Sequence, residues 1–216
     1  MKNIGILGSG TVATTLADAF LHQGHPVMLG TQHPDKLADW QAKAGPTGRV
    51  GSFAGAAGFG ELLVLAVKGH VAPHLLRTLP ADALAGKTIL NTTNPISETP
   101  PQNGVLHFFT NFDESLLEEC QQAVPGAHFV KAFNSVGTGV MVNPDYGGIT
   151  PTKFICGNDE GTKTEAAATI RAFGFEPEDM GGAEAARAIE PLCMLWCISG
   201  FRGNQWSHAF KLLKKG

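Results

Sequence analysis

The sequence predicts an α/β chain built on a doubly wound, mainly parallel sheet. Three observations predict it: an apolar run at the amino terminus that passes through a glycine-rich turn into a helical pattern, a regular alternation of apolar runs with helix-period segments after it, and a globular composition. Residues 3–7, NIGIL, read as a short buried strand. Residues 11–23 read as a helix with Val12, Leu16, Ala19 and Phe20 on one face, stopped by Gly24. PVML is the second strand, and the helix after it turns Leu37 and Trp40 toward the core. LLVLAV, residues 62–67, is the clearest buried strand, and the helix HVAPHLLRTL follows with Pro73 near its first turn. The strand KTIL, the helix ESLLEECQQA and the strand HFVKAF continue the alternation, which implies a sheet covered by helices on both faces and ligands at the carboxyl ends of its strands.

Past residue 150 the pattern goes on as TKFIC, an alanine-rich helix over 160–172, an extended FEPEDM and a long helix from Ala183. The chain is therefore expected to comprise a dinucleotide-binding domain over 1–150 and a small α/β lobe over 151–216, packed on it without a flexible linker. The longest irregular stretch, residues 95–112, leaves the carboxyl end of a strand, where a long loop is either functional or a structural cover.

With 216 residues, 43% hydrophobic and 16% charged, the chain has the core of a folded protein and few charges for a disordered arm. A net charge of −3, with basic residues scattered until the terminal KLLKK, excludes nucleic acid as the main partner. No segment reaches the roughly 20 apolar residues of a membrane span, and no signal-peptide run precedes the first glycines. A cytoplasmic protein is expected. Cys120, Cys156, Cys193 and Cys197 lack metal-binding or disulfide-scaffold spacing and read as reduced core thiols. His70 and His74 have helical i, i+4 spacing without the glutamate of a zinc-protease helix, so no metal is assigned.

GILGSGTVA places Gly8, Gly10 and Ala13 in the G-x-G-x-x-G/A pattern between a strand and a helix. Gly8 permits the tight turn, Gly10 lets a pyrophosphate approach the backbone, and Ala13 lets the helix lie close to the sheet. This is the signature of a Rossmann-type dinucleotide site. About 20 residues on, an NAD site carries an acid for the ribose hydroxyls. Here that position holds Gly30, Thr31 and Gln32, with His33 and Lys36 behind them. A hydroxyl, an amide and an ammonium suit a 2′-phosphate, so NADP(H) is expected over NAD(H). Val67 and Lys68, Asn94 and Pro95, and Ala132 and Asn134 stand at three further strand ends expected to surround the nicotinamide. Asn134 is the candidate catalytic residue, able to bond the carboxamide or the acceptor ring; its alternative role is to cap a turn.

The order GILGSGTVATTLA, LGTQHPDK, NTTNP, VKAFNSVG, FICGNDE and GFEPEDMGGAEAARAIEPLCMLW resembles the NADPH-dependent reductases of the deazaflavin coenzyme F420, and it is similar to the cytoplasmic domain of the STEAP metalloreductases. The resemblance covers about residues 1–200, and KAFN and EAARAIEPL are its most distinctive parts. It implies that the segment Ser9–Val12 holds the pyrophosphate and that Thr31, Gln32 and Lys36 hold the 2′-phosphate. The family commonly has Ser-Arg where this chain has Thr31-Gln32. The implied activity is hydride transfer between NADPH and a deazaflavin or flavin-like acceptor in a cleft at the strand ends. Such a reaction asks the protein for positioning and a dry cleft, which Phe108, Phe109, Phe112 and Phe133 are placed to wall. The alternative is a non-catalytic NADP(H)-binding sensor or interaction module. The apolar helix AIEPLCMLWCISGF is either covered by the small lobe or a homodimer face, and the isologous dimer is the commoner use of such a surface.

Overall fold

The computed structural model describes residues 1–215. In chain order the elements are β1 (Ile4–Leu7), α1 (Thr11–His22), β2 (Val27–Gly30), α2 (Ala38–Ala44), β3 (Gly48–Gly51), α3 (Phe53–Phe59), β4 (Leu62–Leu65), α4 (Ala72–Thr78), α5 (Ala81–Leu84), β5 (Thr88–Asn91), α6 (Leu116–Ala123), β6 (His128–Lys131), β7 (Thr152–Ile155), α7 (Glu160–Ala172), β8 (Glu176–Asp179), α8 (Ala186–Ile189) and α9 (Pro191–Gly203). The first six strands form one parallel sheet in the order β3-β2-β1-β4-β5-β6, with Ile4 in register with Val27 on one side and Leu62 on the other. Winding therefore reverses between β1 and β4, and a crevice opens there at the carboxyl ends of the strands.

Side chains alternate across each strand, so the apolar runs feed two cores. Ile4, Ile6, Leu62, Val64 and Leu90 pack under α1 and α7 with Leu16, Phe20, Ile170 and Phe173. Leu7, Leu63, Leu65, Ile89 and Phe129 pack on the opposite face with Ala56, Leu76, Leu84 and Leu117. Burying each such side chain contributes about 1.5–3 kcal/mol. Two elements on this scaffold escape a search for apolar periodicity. β3, GRVG, is an edge strand with two glycines, and α3, FAGAAGF, reads as a turn because of Gly55 and Gly58. Ser52 caps α3 by accepting the Gly55 N–H at 3.0 Å. Its small residues let it lie against the backbone of Gly5, where any side chain would collide with the Ala56 carbonyl.

β7 and β8 form a separate two-stranded parallel sheet, joined to β6 by one antiparallel bridge between Lys131 and Cys156. The long helix expected from Ala183 is broken into a 3₁₀ turn at Ala183–Ala185, then α8, then α9. Pro191 lacks the N–H a continuous helix needs and instead starts α9. After Asn204 the chain runs beside β7, with Thr152 N–H donating to Phe210 O at 2.8 Å and Leu212 N–H to Thr152 Oγ1 at 3.1 Å. The irregular stretch 95–112 is a short hairpin arm: Ser97 N–H donates to His107 O at 2.8 Å and Phe109 N–H to Pro95 O at 2.9 Å. Its tip leans on α9, where a side chain at Gly104 would come within 2.8 Å of Arg202 Cγ.

No helix among the described residues is long and apolar enough to cross a membrane. The four cysteines are free thiols, and burial pushes Cys120 and Cys156 up to about 12, which keeps them protonated and unreactive.

Lys153, on β7, is buried with no carboxylate against it; its ammonium lies 3.4 Å from Ser135 O and 4.5 Å from the Phe175 ring centre. Burial lowers its pKa to about 7. The unfolded chain keeps the ordinary higher value and so binds the proton more tightly, which makes this lysine a burden on stability. The burden is full below pH 7, shrinks between pH 7 and the unfolded pKa, and is gone above it. Lys153→Met is expected to stabilise the fold by up to about 4 kcal/mol at pH 6, with the gain over wild type falling steadily from pH 7 to 10 in denaturant titrations.

Candidate functional site

At the amino end of the crevice the chain turns through Gly8, whose φ of 149 and contact with the Ala66 carbonyl exclude a side chain. Gly10 follows as the N-cap of α1, extended at φ −81 and ψ −179, with no side-chain cap and no acidic residue in the first turn. The helix thus presents unpaired N–H groups and the positive end of its dipole to the crevice. A side chain built on Gly10 would meet nothing within 4 Å. That open space over bare amides is the shape of an anion site.

The ribose turn lies beside it. Thr31 is buried; its Oγ1 donates to Ser9 Oγ at 3.2 Å and accepts from His33 N–H at 3.0 Å. The hydroxyl therefore ties the glycine loop to the ribose turn, while Gln32 and Lys36 stay exposed. Lys36 stands in a 3₁₀ turn, Pro34–Leu37, rather than one turn into a regular helix. Thr31 and Gln32 line an open cavity of about 690 Å³ whose other wall is Ser52, Phe53 and Leu79. Lys36 is not part of that lining.

Val12, Val67, Lys68 and Asn94 do converge, on a cavity of about 410 Å³ at the ends of β1, β4 and β5 that also takes in Thr93 and Ile96. Pro95 and Ala132 sit behind it: Pro95 roots the hairpin arm, and Ala132 extends the β5–β6 pairing by donating to Asn91 O at 3.0 Å. Asn134 is buried; its Nδ2 donates to Ile189 O at 2.8 Å and to Asn94 Oδ1 at 3.4 Å, while Asn94 Nδ2 donates to Asn134 O at 2.9 Å. Phe133, just before it, is in the left-handed region at φ 57, a conformation costing a non-glycine residue about 1–2 kcal/mol. It packs on Phe173 and Phe175 at 5.7 and 6.3 Å, so it is core and not a cleft wall. Phe108 and Phe112 line a different cavity of about 430 Å³, between the arm and the start of α9, and Phe109 is half exposed.

Behind these walls lies an ion pair that motif reading does not find. Lys131 is 0% exposed and Glu190 1%. Lys131 Nζ lies 2.6 Å from Glu190 Oε1 and donates to Thr93 O at 2.8 Å and Asn91 Oδ1 at 3.2 Å. Glu190 also accepts the first N–H groups of α6, from Leu116 at 3.0 Å and Leu117 at 3.1 Å. The signal available in the sequence was a lysine inside an otherwise apolar strand, FVKAF, and a glutamate inside an apolar helix, AIEPL.

A family model described as NADP oxidoreductase, coenzyme F420-dependent, matches residues 3–95. A crystal structure at 1.70 Å of a candidate F420-dependent NADP reductase from Arthrobacter sp. FB24 superposes with a TM-score of 0.91 at 30% identity, over 99% of this chain and 100% of that one. This chain belongs to the coenzyme F420-dependent NADP oxidoreductase family. Metalloreductase STEAP3 of Rattus norvegicus is 29% identical over 191 residues, 88% of this chain, and the chain spans only 36% of that protein's length. A reductive aminase from Aspergillus terreus shares the fold, with a TM-score of 0.66 at 18% identity over 94% of this chain and 62% of that one. The uncapped α1 terminus and the absence of an acid at Gly30–Gln32 fit the dinucleotide that the family description names.

Because the Thr31 hydroxyl joins two loops of the site, Thr31→Val is expected to lower unfolding free energy by about 1 kcal/mol and to increase amide hydrogen exchange at His33, both measurable without ligand.

Proposed function

We propose that this oxidoreductase family member binds NADPH along the carboxyl ends of β2, β1, β4 and β5 and passes hydride to a deazaflavin or flavin-like acceptor. The observation that carries the reading is the bare α1 terminus, open over Gly10, between a β2 end with no carboxylate at Gly30, Thr31 or Gln32 and the cavity bounded by Val67 and Asn94. The amides of Ser9–Val12 bind the pyrophosphate, and Gln32 and Lys36 meet the 2′-phosphate. When bound, the nicotinamide supplies the hydride. Both Asn134 amide protons go to protein oxygens, so Oδ1 is the atom it offers the carboxamide. Val12, Val67 and Ile96 give the cavity its apolar surface beside the polar Lys68, His70 and Glu98, and hydride transfer itself asks no side chain there to move a proton. Exposed Val105, Phe109, Phe112, Leu195 and Phe201 gather on the arm and α9, which supports a homodimer formed through that face.

The test is NADPH oxidation screened against a deazaflavin, riboflavin, FMN, FAD and ferric chelates. Oxidation that depends on a deazaflavin or flavin is expected; tight NADPH binding with no turnover on any acceptor would leave a binding module.

Gly10→Val should fold like the wild type, since the added side chain has free space, and should weaken NADPH binding at least 100-fold because it occupies the place of the pyrophosphate. A folded variant that binds NADPH normally would move the cofactor elsewhere. At the ribose turn, NADPH should bind more tightly than NADH, by a margin that narrows with salt. Lys36→Ala should weaken NADPH alone, by about 1–3 kcal/mol, and Gln32→Arg should strengthen it through a planar fork. Calorimetric titration of both nucleotides decides this, and equal affinities unmoved by either substitution would refute the phosphate site.

A further inference from the structure

Lys131 and Glu190 lie outside the lining of the cavity bounded by Val67 and Asn94, yet Lys131 bonds the segment that leads into its wall at Asn94, and Glu190, which lines the separate cavity beside Phe108, adjoins the carbonyl that holds Asn134 against Asn94. Lys131 bonds the Thr93 carbonyl and Asn91 Oδ1, and the same Asn91 oxygen accepts Thr93 N–H at 3.0 Å and Thr93 Oγ1 at 2.8 Å. This pins the β5 end that leads into Asn94. Glu190 follows Ile189, whose carbonyl accepts from Asn134 Nδ2, and it anchors the start of α6. Between the two lies the left-handed turn at Phe133, a strained conformation that persists only where its surroundings hold it. Strain at that turn together with a buried ion pair on the same segments is the pattern of a preset site.

We propose that Lys131 and Glu190 are positioning residues for the nicotinamide end of the cofactor, acting through Thr93–Asn94 on one side and Ile189–Asn134 on the other. The inference rests on the NADPH reading above. A pair that only stabilises the fold would affect all ligands alike. A pair that presets Asn94, through Thr93 and through Asn134 behind it, affects only ligands that reach that wall, and leaves the pyrophosphate and ribose contacts at Gly10 and Gln32 untouched.

Two ligands separate these cases: NADPH, and 2′-phospho-ADP-ribose, which lacks the nicotinamide. Removing one charge leaves the other buried without a partner, so a single variant can fail to fold. Glu190→Gln is therefore paired with the double variant Lys131→Met/Glu190→Gln, in which neither charge remains. In whichever variant is folded by circular dichroism, the Kd for NADPH should rise by about tenfold, the worth of one hydrogen bond, while that for 2′-phospho-ADP-ribose stays within about twofold. The fluorescence of bound NADPH should shift toward that of the free nucleotide. Equal changes for both ligands, or none for either, would overturn the positioning role. Wild-type protein that binds neither ligand would instead overturn the NADPH reading, and the inference with it.

Discussion

The buried pair of Lys131 and Glu190 is the contact on which the crevice depends. Taking two charges out of water costs several kcal/mol each, and their attraction offsets this only when the remaining donors and acceptors are also bonded. Here they are: the ammonium has three oxygen partners, and the carboxylate receives two helix N–H groups besides the lysine. The acceptor side gains further because the start of α6 carries the positive end of a helix dipole. Lost singly, either partner would leave a bare charge in a dry place. The pair therefore makes the closure of β5, β6, α6 and the α8–α9 junction a single cooperative event.

That closure joins two sheets with different tasks. The six-stranded sheet sets the reversal point between β1 and β4 and hence the place of the crevice. The two-stranded sheet and the helices after it supply Ile189 and Glu190, which complete the far side. Among the described residues one antiparallel bridge links the sheets, at Lys131–Cys156. The lysine that makes this bridge with its backbone is the one that makes the ion pair with its side chain, so β6 transmits the docking of the carboxyl-terminal helices directly to the strand ends.

Apolar periodicity made most of the parallel sheet legible, and the glycine fingerprint made its first turn legible, because both are local patterns with a direct steric cause. β3 and α3 were not legible: glycine is read as a turn, whereas here it lets a helix press onto Gly5. The continuous helix from Ala183 failed at Pro191 for an equally local reason, a missing N–H. Candidate residues Val67, Lys68 and Asn94, found from strand ends, and Val12, found from the segment after the first glycines, do share one cavity. Thr93 and Glu190 could not, since their importance comes from contacts across at least 38 residues of chain. Phe133 misled for the opposite reason: an aromatic residue near a strand end suggests a cleft wall, but its left-handed backbone turns the ring into the core.

KAFN and EAARAIEPL, the two most distinctive segments of the family resemblance, turn out to be the two sides of one lock. Lys131 meets Glu190, and Asn134 meets Ile189. The pairing keeps both side chains charged, for a lysine buried in a strand without a carboxylate to meet it, as Lys153 is, has its pKa lowered by burial. The same geometry bears on the proposed chemistry. A hydride acceptor and a nicotinamide need to be held close and dry, and a charge facing them would draw in water. Charges placed behind the wall, with all their bonds spent on protein atoms, hold the wall rigid without wetting it. The charged groups that do reach this cavity, Lys68 and the His70–Glu98 pair at 3.9 Å, form a separate and more exposed set, whereas the lock beneath Asn94 keeps its two charges out of that lining.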